Sequence, residues 1–328
     1  MGASDIVNSS YATGDVTGEE NVGGLAGENY NIINNGKSTG TVTGTKEVGG
    51  LIGFASYPID SSLSSSNVIQ VASNGIANID VGGLVGQSFA LVSNSYATGN
   101  ITVLDDAMYI GGLIGISGEI KNSYASGTIT GGFALIGGLV GNPAGDVSNS
   151  FALNESITGA SNADYSRIHR FIGSIDQEVE LTNNFALEQM LINNQTITQP
   201  DPLHAEDISF SNAQQGSSYA DVDWDFDNIW AIDEGSSFPY FGHGLLEVND
   251  PIFEEEQLTI YPNPATDVIN INSNQDINTV AIYDSTGKLV KKVMATSQIQ
   301  ISDLNAGIYF IKTSLSNNNV VSTKFIKR

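Results

Sequence analysis

The sequence predicts an all-β chain: a parallel β-solenoid of about six coils, followed by a small Ig-like β-sandwich. Three observations predict it. A six-residue element built on paired glycines occurs five times in the first half. The segments between the glycines are short and β-branched, which suits strands. The last 71 residues hold seven short strand-like runs separated by turn residues.

Composition agrees with this class. The 328 residues include 36 Gly and only 15% charged side chains, against roughly 25% in an average soluble chain. Long amphipathic helices and coiled coils need more Ala, Glu, Lys and Leu than that. The 40% apolar content still supplies a core and argues against wholesale disorder. The absence of Cys excludes a disulfide scaffold, a thiolate metal site and a Cys nucleophile. The net charge of −24 is uneven: residues 1–257 hold 5 Lys/Arg against 32 Asp/Glu, whereas residues 258–328 hold 7 against 4. The long acidic part repels nucleic acid and anionic lipid. The charge step marks a domain boundary. No run of about 18 apolar residues is present to cross a membrane. The opening MGASDIVNSS lacks the basic and apolar parts of a signal peptide.

The first element, residues 1–187, is the repeat. Val22-Gly23-Gly24-Leu25-Ala26-Gly27 returns at residues 48–53, 81–86, 110–115 and 136–141, with spacings of 26, 33, 29 and 26. Phe171-Ile172-Gly173 reads as a decayed last copy. A second motif interleaves with it: Asn94-Ser95-Tyr96-Ala97-Thr98-Gly99, Asn122–Gly127, an early copy at Asn8–Gly14, and weaker copies at Asn149 and Asn184. Each strand-like piece is too short to stand alone and ends at Gly, which permits positive φ and sharp corners. A unit of that size is expected to be one coil, stable only against its neighbours. Six coils spaced about 4.8 Å apart would make a rod about 30 Å long. The longest spacing contains Phe54–Ile79, including the Ser-rich stretch Ser61–Ser66, and reads as holding an insertion loop that bulges from one coil. The VGGLxG and NSYATG elements resemble the GLUG-motif repeats of bacterial surface proteins, over roughly residues 6–187. The resemblance implies an extracellular location and an adhesin-like or spacer role, and it names no ligand.

The second element, residues 188–244, breaks the pattern with Pro200 and Pro202 and contains both tryptophans, Trp224 and Trp230. Its W-D-F…W-x-I-x-E-G…P-Y order resembles segments that close other GLUG-type repeat regions. An open solenoid end exposes unpaired strands and core, so this segment is expected to cap it. Asp221, Asp223, Asp225 and Asp227 occupy positions 1, 3, 5 and 7 of an EF-hand-like loop. The sixth position is Phe226 rather than Gly and the twelfth is Ile232 rather than Glu, against what a calcium loop requires. Alternation with Val, Trp and Phe also fits a strand with one wet face. The strand is the expectation, and calcium is the single cofactor left in view.

Residues 245–257 read as a linker. The third element, residues 258–328, carries Tyr261-Pro262-Asn263-Pro264, then Asp284-Ser285-Thr286-Gly287, then Leu304-Asn305-Ala306-Gly307-Ile308-Tyr309, and a basic ending with Lys324 and Lys327. These motifs resemble the type A C-terminal sorting domain of the type IX (Por) secretion system. The resemblance implies a Gram-negative, Bacteroidota-type source, recognition by the type IX machinery, and delivery to the outer surface or the medium. Cargo of that route first needs a signal peptide, so the chain is expected to be the C-terminal part of a longer product.

Motifs for catalysis are missing. There is no HExxH, GxSxG or P-loop, and His169, His204 and His243 share no ligand spacing with a fourth group. Asp105-Asp106 could pose as a carboxylate pair, but neighbouring residues on a loop point apart. Arg167, His169 and Arg170 form a small basic spot in an acidic body. It could take a sulfate or carboxylate of a glycan, or simply balance nearby acids. Two functions therefore remain in view: a non-catalytic surface adhesin that binds glycan or protein, and a non-catalytic stalk of a larger extracellular hydrolase or peptidase.

Overall fold

The computed structural model describes residues 6–71, 79–104, 107–132, 135–160, 167–176, 178–197, 201–242, 259–273, 277–284, 288–294, 296–315 and 320–328. His243, Asp105, Asp106, Gly287 and the linker 245–257 lie outside them. The chain divides into two compact units, Met1–Val248 and Asn249–Arg328. No helix among the described residues is long and apolar enough to cross a membrane.

The first unit is a parallel β-solenoid. Six strands carrying the glycine element stack in sequence order: Glu20–Gly23, Lys46–Gly49, Asp80–Gly82, Tyr109–Gly111, Leu135–Gly137 and Ile168–His169. Equivalent residues pair in register, with Val22, Val48, Val81, Ile110, Ile136 and Ile168 forming one column. The next column runs Leu25, Leu51, Leu84, Leu113, Leu139 and Phe171, each backbone N–H donating to the carbonyl one coil on. Phe171 is therefore the last copy of the repeat leucine, as its sequence suggests. Both columns are buried beyond the first coil and supply the hydrophobic interior.

Close packing, rather than positive φ, explains the paired glycines. A Cβ on Gly112 would lie 2.0 Å from the Gly138 carbonyl oxygen, and one on Gly50 would lie 2.2 Å from that of Gly83. Left-handed corners fall instead to asparagine: Asn94, Asn122, Asn149 and Asn183 have φ of 45°, 50°, 51° and 53°. Asparagine tolerates that region better than other side-chain-bearing residues. The serine that follows the corner at Asn94, Asn122 and Asn149, like Ser62 after Ser61, points inward and is buried, and its Oγ accepts from the backbone N–H of the preceding coil; after Asn183 the amide oxygen of Asn184 takes that place, accepting from Ser150 N–H. Ser62 accepts from Gly36, Ser95 from Ser62, Ser123 from Ser95 and Ser150 from Ser123. The conserved geometry of N-S in the motif is thus a corner followed by a hydrogen-bonded ladder.

Within the expected insertion span Phe54–Ile79, the Ser61–Ser66 stretch belongs to the coil itself. Ile59–Asp60 and Leu63–Ser64 are ordinary coil strands, and Ser62, Ser64 and Ser66 are fully buried in the stack. Gln70 is in register with Gly44, and Val81 with Val48. The extra length of this coil therefore falls between Gln70 and Asp80.

The second unit is a sandwich of two antiparallel sheets. One contains Thr259–Tyr261, Val268–Asn272 and Gln298–Gln300. The other orders Leu289–Met294, Ile277–Asp284, Gly307–Leu315 and Val320–Lys327 across its width. Ile269, Ile271, Val280, Ile282, Ile299, Ile311 and Phe325 fill the space between them. All seven strands read from the sequence are present.

Candidate functional site

The motif Arg167-Ile168-His169-Arg170 is the sixth copy of the glycine element. His169 sits in register with Gly137, and Arg170 follows in the column of Gly138. Side chains fit here because the neighbour beyond is a short 3₁₀ turn, Pro202–His204, instead of another coil. Phe171 and Ile172 donate their N–H groups to the Leu203 carbonyl. The basic spot is consequently split. Arg167 is exposed, while His169 and Arg170 are buried.

Arg170 ties the coil end together. Its guanidinium reaches Asp207 at 2.6 Å and the Leu187 carbonyl at 3.2 Å, and its backbone N–H donates to Nδ1 of His204 at 2.9 Å. Nδ1 of His169 approaches the Gly173 carbonyl at 3.1 Å, which fixes the proton on that nitrogen. The two imidazoles lie 5.1 Å apart. Burial, then the charges of His169 and Arg170, push His204 down to about 4 against the opposing pull of Asp201 and Asp207. Burial likewise lowers His169. Both rings are neutral at pH 7, so this cluster holds the end turn in place and balances an acid. Aligning RIHRFIG on VGGLxG would have revealed it.

The tryptophan segment lies along the flank of the coils rather than over their end. Ala97 and Ala125 face inward toward the paired glycines, so the neighbouring Tyr96 and Tyr124 point outward. They stack at 4.9 Å, and Phe151 stacks on Phe185 at 5.1 Å. Residues 209–241 cover this aromatic column. Trp224 donates from Nε1 to the Asn149 carbonyl at 2.8 Å and packs 4.4 Å from Trp230. Tyr124 donates its hydroxyl to the Pro239 carbonyl at 2.7 Å. Capping of the coil end itself falls to residues 201–208.

The four aspartates do not form the expected strand. Ser217–Ala220 is a helical turn, and residues 221–223 and 226–229 continue as turns. The carboxylate of Asp225 accepts from the backbone of Asp227 and Asn228 and from the Asn228 amide, which holds its acid below the usual range. Asp221, Asp223 and Asp227 are exposed. Among the described residues, no group of three His, Cys, Asp or Glu gathers around a common point.

Two clefts flank these features. One, of about 490 Å³, lies where the flank cover meets the coils. Leu153, Leu187, Met190, Phe210 and Phe238 give it an apolar lining, and Glu155 and Gln189 give it polar groups. The other, of about 430 Å³, is lined by Phe171, Leu181, Asn184, Asp201 and Glu206 at the coil end.

In the second unit, the motifs near its first and last strands meet. Asn263 Oδ1 accepts from the Ile326 N–H at 2.9 Å, and its amide donates to the Lys324 carbonyl at 3.3 Å. Ala265 donates to the Ile326 carbonyl and accepts from Arg328 N–H. The loop with Tyr261, Pro262 and Pro264 thus closes the outer edge of the last strand. Asp284 accepts from the Lys288 N–H and closes a hairpin. Leu304 packs on the core, Gly307 opens a strand, and Tyr309 donates to the Asn305 carbonyl. Lys327 contacts the terminal Arg328 carbonyl.

Comparison with known proteins follows the same division. The family described as the secretion system C-terminal sorting domain matches residues 259–328. The family described as the GLUG motif matches residues 77–102 and 106–130. A protein of Evansella cellulosilytica named as a Gly-rich membrane protein is 32% identical over 159 residues, which are 48% of this chain and 14% of that protein. A crystal structure from Bacteroides ovatus, named for an immunoglobulin A1 protease, aligns with a TM-score of 0.51 at 17% identity. The alignment covers 73% of this chain and 76% of that one. At this identity the likeness concerns the fold alone.

Proposed function

From a chain whose GLUG repeats precede a type IX sorting domain that sends it to the cell surface or the extracellular space, we propose a non-catalytic, adhesin-like solenoid that binds glycan or protein. The observation that carries this reading is the cleft beside Phe210 and Phe238. Its lining is mostly apolar with a few polar groups, the usual make-up of a recognition pocket. A screen of the full chain on glycan and matrix-protein arrays, with and without EDTA, tests it. Saturable binding that falls at least tenfold in Phe210→Ala supports the reading, whereas a folded chain that binds nothing sinks it. Loss of binding in EDTA would bring the Asp221–Asp227 turn back as a calcium site.

A second reading is a stalk of a larger extracellular peptidase or polysaccharide hydrolase. The length of the Evansella protein favours it, since this chain matches only 14% of that sequence. An upstream catalytic domain in the same reading frame would select it.

A further inference from the structure

We infer that the outer face of the four-stranded sheet in the C-terminal unit is the docking surface for the export machinery, and that it fits a protein surface with an apolar centre and a carboxylate rim. The inference rests on reading residues 259–328 as a sorting domain.

Alternation along the strands sorts the side chains cleanly. Tyr309, Ile311 and Phe325 point into the sandwich and are buried, while Ile308, Phe310 and Ile326 between them are 51%, 48% and 44% exposed. The pairing register then assembles the outward residues. Leu289 lies opposite Tyr283, Tyr283 opposite Phe310, and Phe310 opposite Lys324, making one row across all four strands. Ile308 lies opposite Ile326 on one side of that row. On the other side Lys292 and Lys312 flank Ala281.

An apolar band bordered by lysines is unusual on a chain that is acidic elsewhere. Lys291 shows the contrast. It lies on the inner side at the sheet edge and is engaged by Asp303 at 2.6 Å. No ion pair joins Lys292, Lys312 or Lys324 to an acid among the described residues, and all three are exposed. Exposed lysines around an apolar band match the anatomy of a protein interface, with an apolar core and a polar rim that steers encounter. The carboxylate rim of the partner follows from that charge. A membrane surface is the competing occupant, and the experiment separates the two.

The test is export of the full chain, placed behind a cleavable signal peptide, from a bacterium that carries a type IX system, read as the ratio of surface-plus-medium protein to retained protein. Deleting residues 259–328 should abolish export. Phe310→Thr removes the centre of the band, and K292E/K312E reverses its border. Each is expected to lower the ratio about tenfold or more, as truncation of a central interface side chain does, with an unfolding midpoint close to that of the wild type. Two separate variants keep the test decisive if one of them misfolds. Gln298→Glu, on the outer side of the other sheet, should export normally. Folded face variants that export like wild type overturn the proposal and leave the sorting-domain reading intact. Normal export of the deletion overturns both. Binding of the wild-type chain to vesicles of anionic phospholipid, lost in the face variants, would also overturn it in favour of lipid.

Discussion

A single methyl group decides whether two coils can stack. Gly112→Ala places a Cβ 2.0 Å from the Gly138 oxygen and 2.9 Å from the Ala125 Cβ. Backbone cannot yield as a side chain can, so a loss of about 3 kcal/mol is expected, at the upper end for overpacking. Gly14 has nothing within 4 Å, and Gly14→Ala should be neutral or stabilising by about 0.5 kcal/mol through the unfolded chain. Urea unfolding of the pair would show whether close approach is the reason for the motif. Two buried titratable residues set opposite pH slopes. Burial, then Glu47, pushes Asp80 up to about 7 from an ordinary 3.8. Its contribution is complete below 3.8 and is lost as pH rises through about 7. His204 is held near 4 instead of 6.5, so its contribution is complete above 6.5 and is lost as pH falls through about 4. The effects oppose each other between pH 4 and 7, and wild-type stability should change little there. Asp80→Asn is expected to leave a slope that falls toward acid, and His204→Gln one that falls toward pH 7. Equal, flat profiles for both variants would refute this assignment.

At the scale of elements, the flank cover and the terminal-strand clasp are both fastened by contacts remote in sequence. Trp224→Ala would remove the bond to Asn149 and the packing against Tyr219, Phe151 and Trp230. A loss of about 4 kcal/mol is expected, within the usual range for a buried Trp, and Tyr96 and Tyr124 should become accessible to a solvent quencher. Asn263→Ala removes two bonds to the last strand, worth about 1 kcal/mol each. Amide exchange at Ile326 should accelerate, whereas the Ile311 amide within the sheet should be unaffected. These fastenings explain what the sequence left unread. Periodicity exposes columns that repeat, so the six coils and the Val, Leu and Asn ladders were legible. The cover has no period, and Tyr124 meets Pro239 across 115 residues. The alternation of Asp221 to Asp227 imitated a strand because turns closed by Asx bonds also expose acids at short intervals. His169 and Arg170 stand out in the sequence only as a basic spot, because their place inside the last coil shows only when they are aligned with the glycine pair.

Across the whole molecule, charge divides the chain at nearly the same place as its contacts do, between Met1–Val248 and Asn249–Arg328. The acidic unit carries the coils and the basic-edged unit carries the sorting motifs. The flank cover has a mechanical consequence. A bare stack of coils peels one turn at a time under tension, each turn releasing about 9 nm of chain. The aromatic cover bolts the coils from Tyr96 to Phe151 to one another, so they should yield together. In a pulling experiment, residues 96–241 are expected to give one rupture of about 50 nm, and Trp224→Ala should break it into smaller steps at lower force. A tether facing shear at a cell surface would then fail as a block or hold.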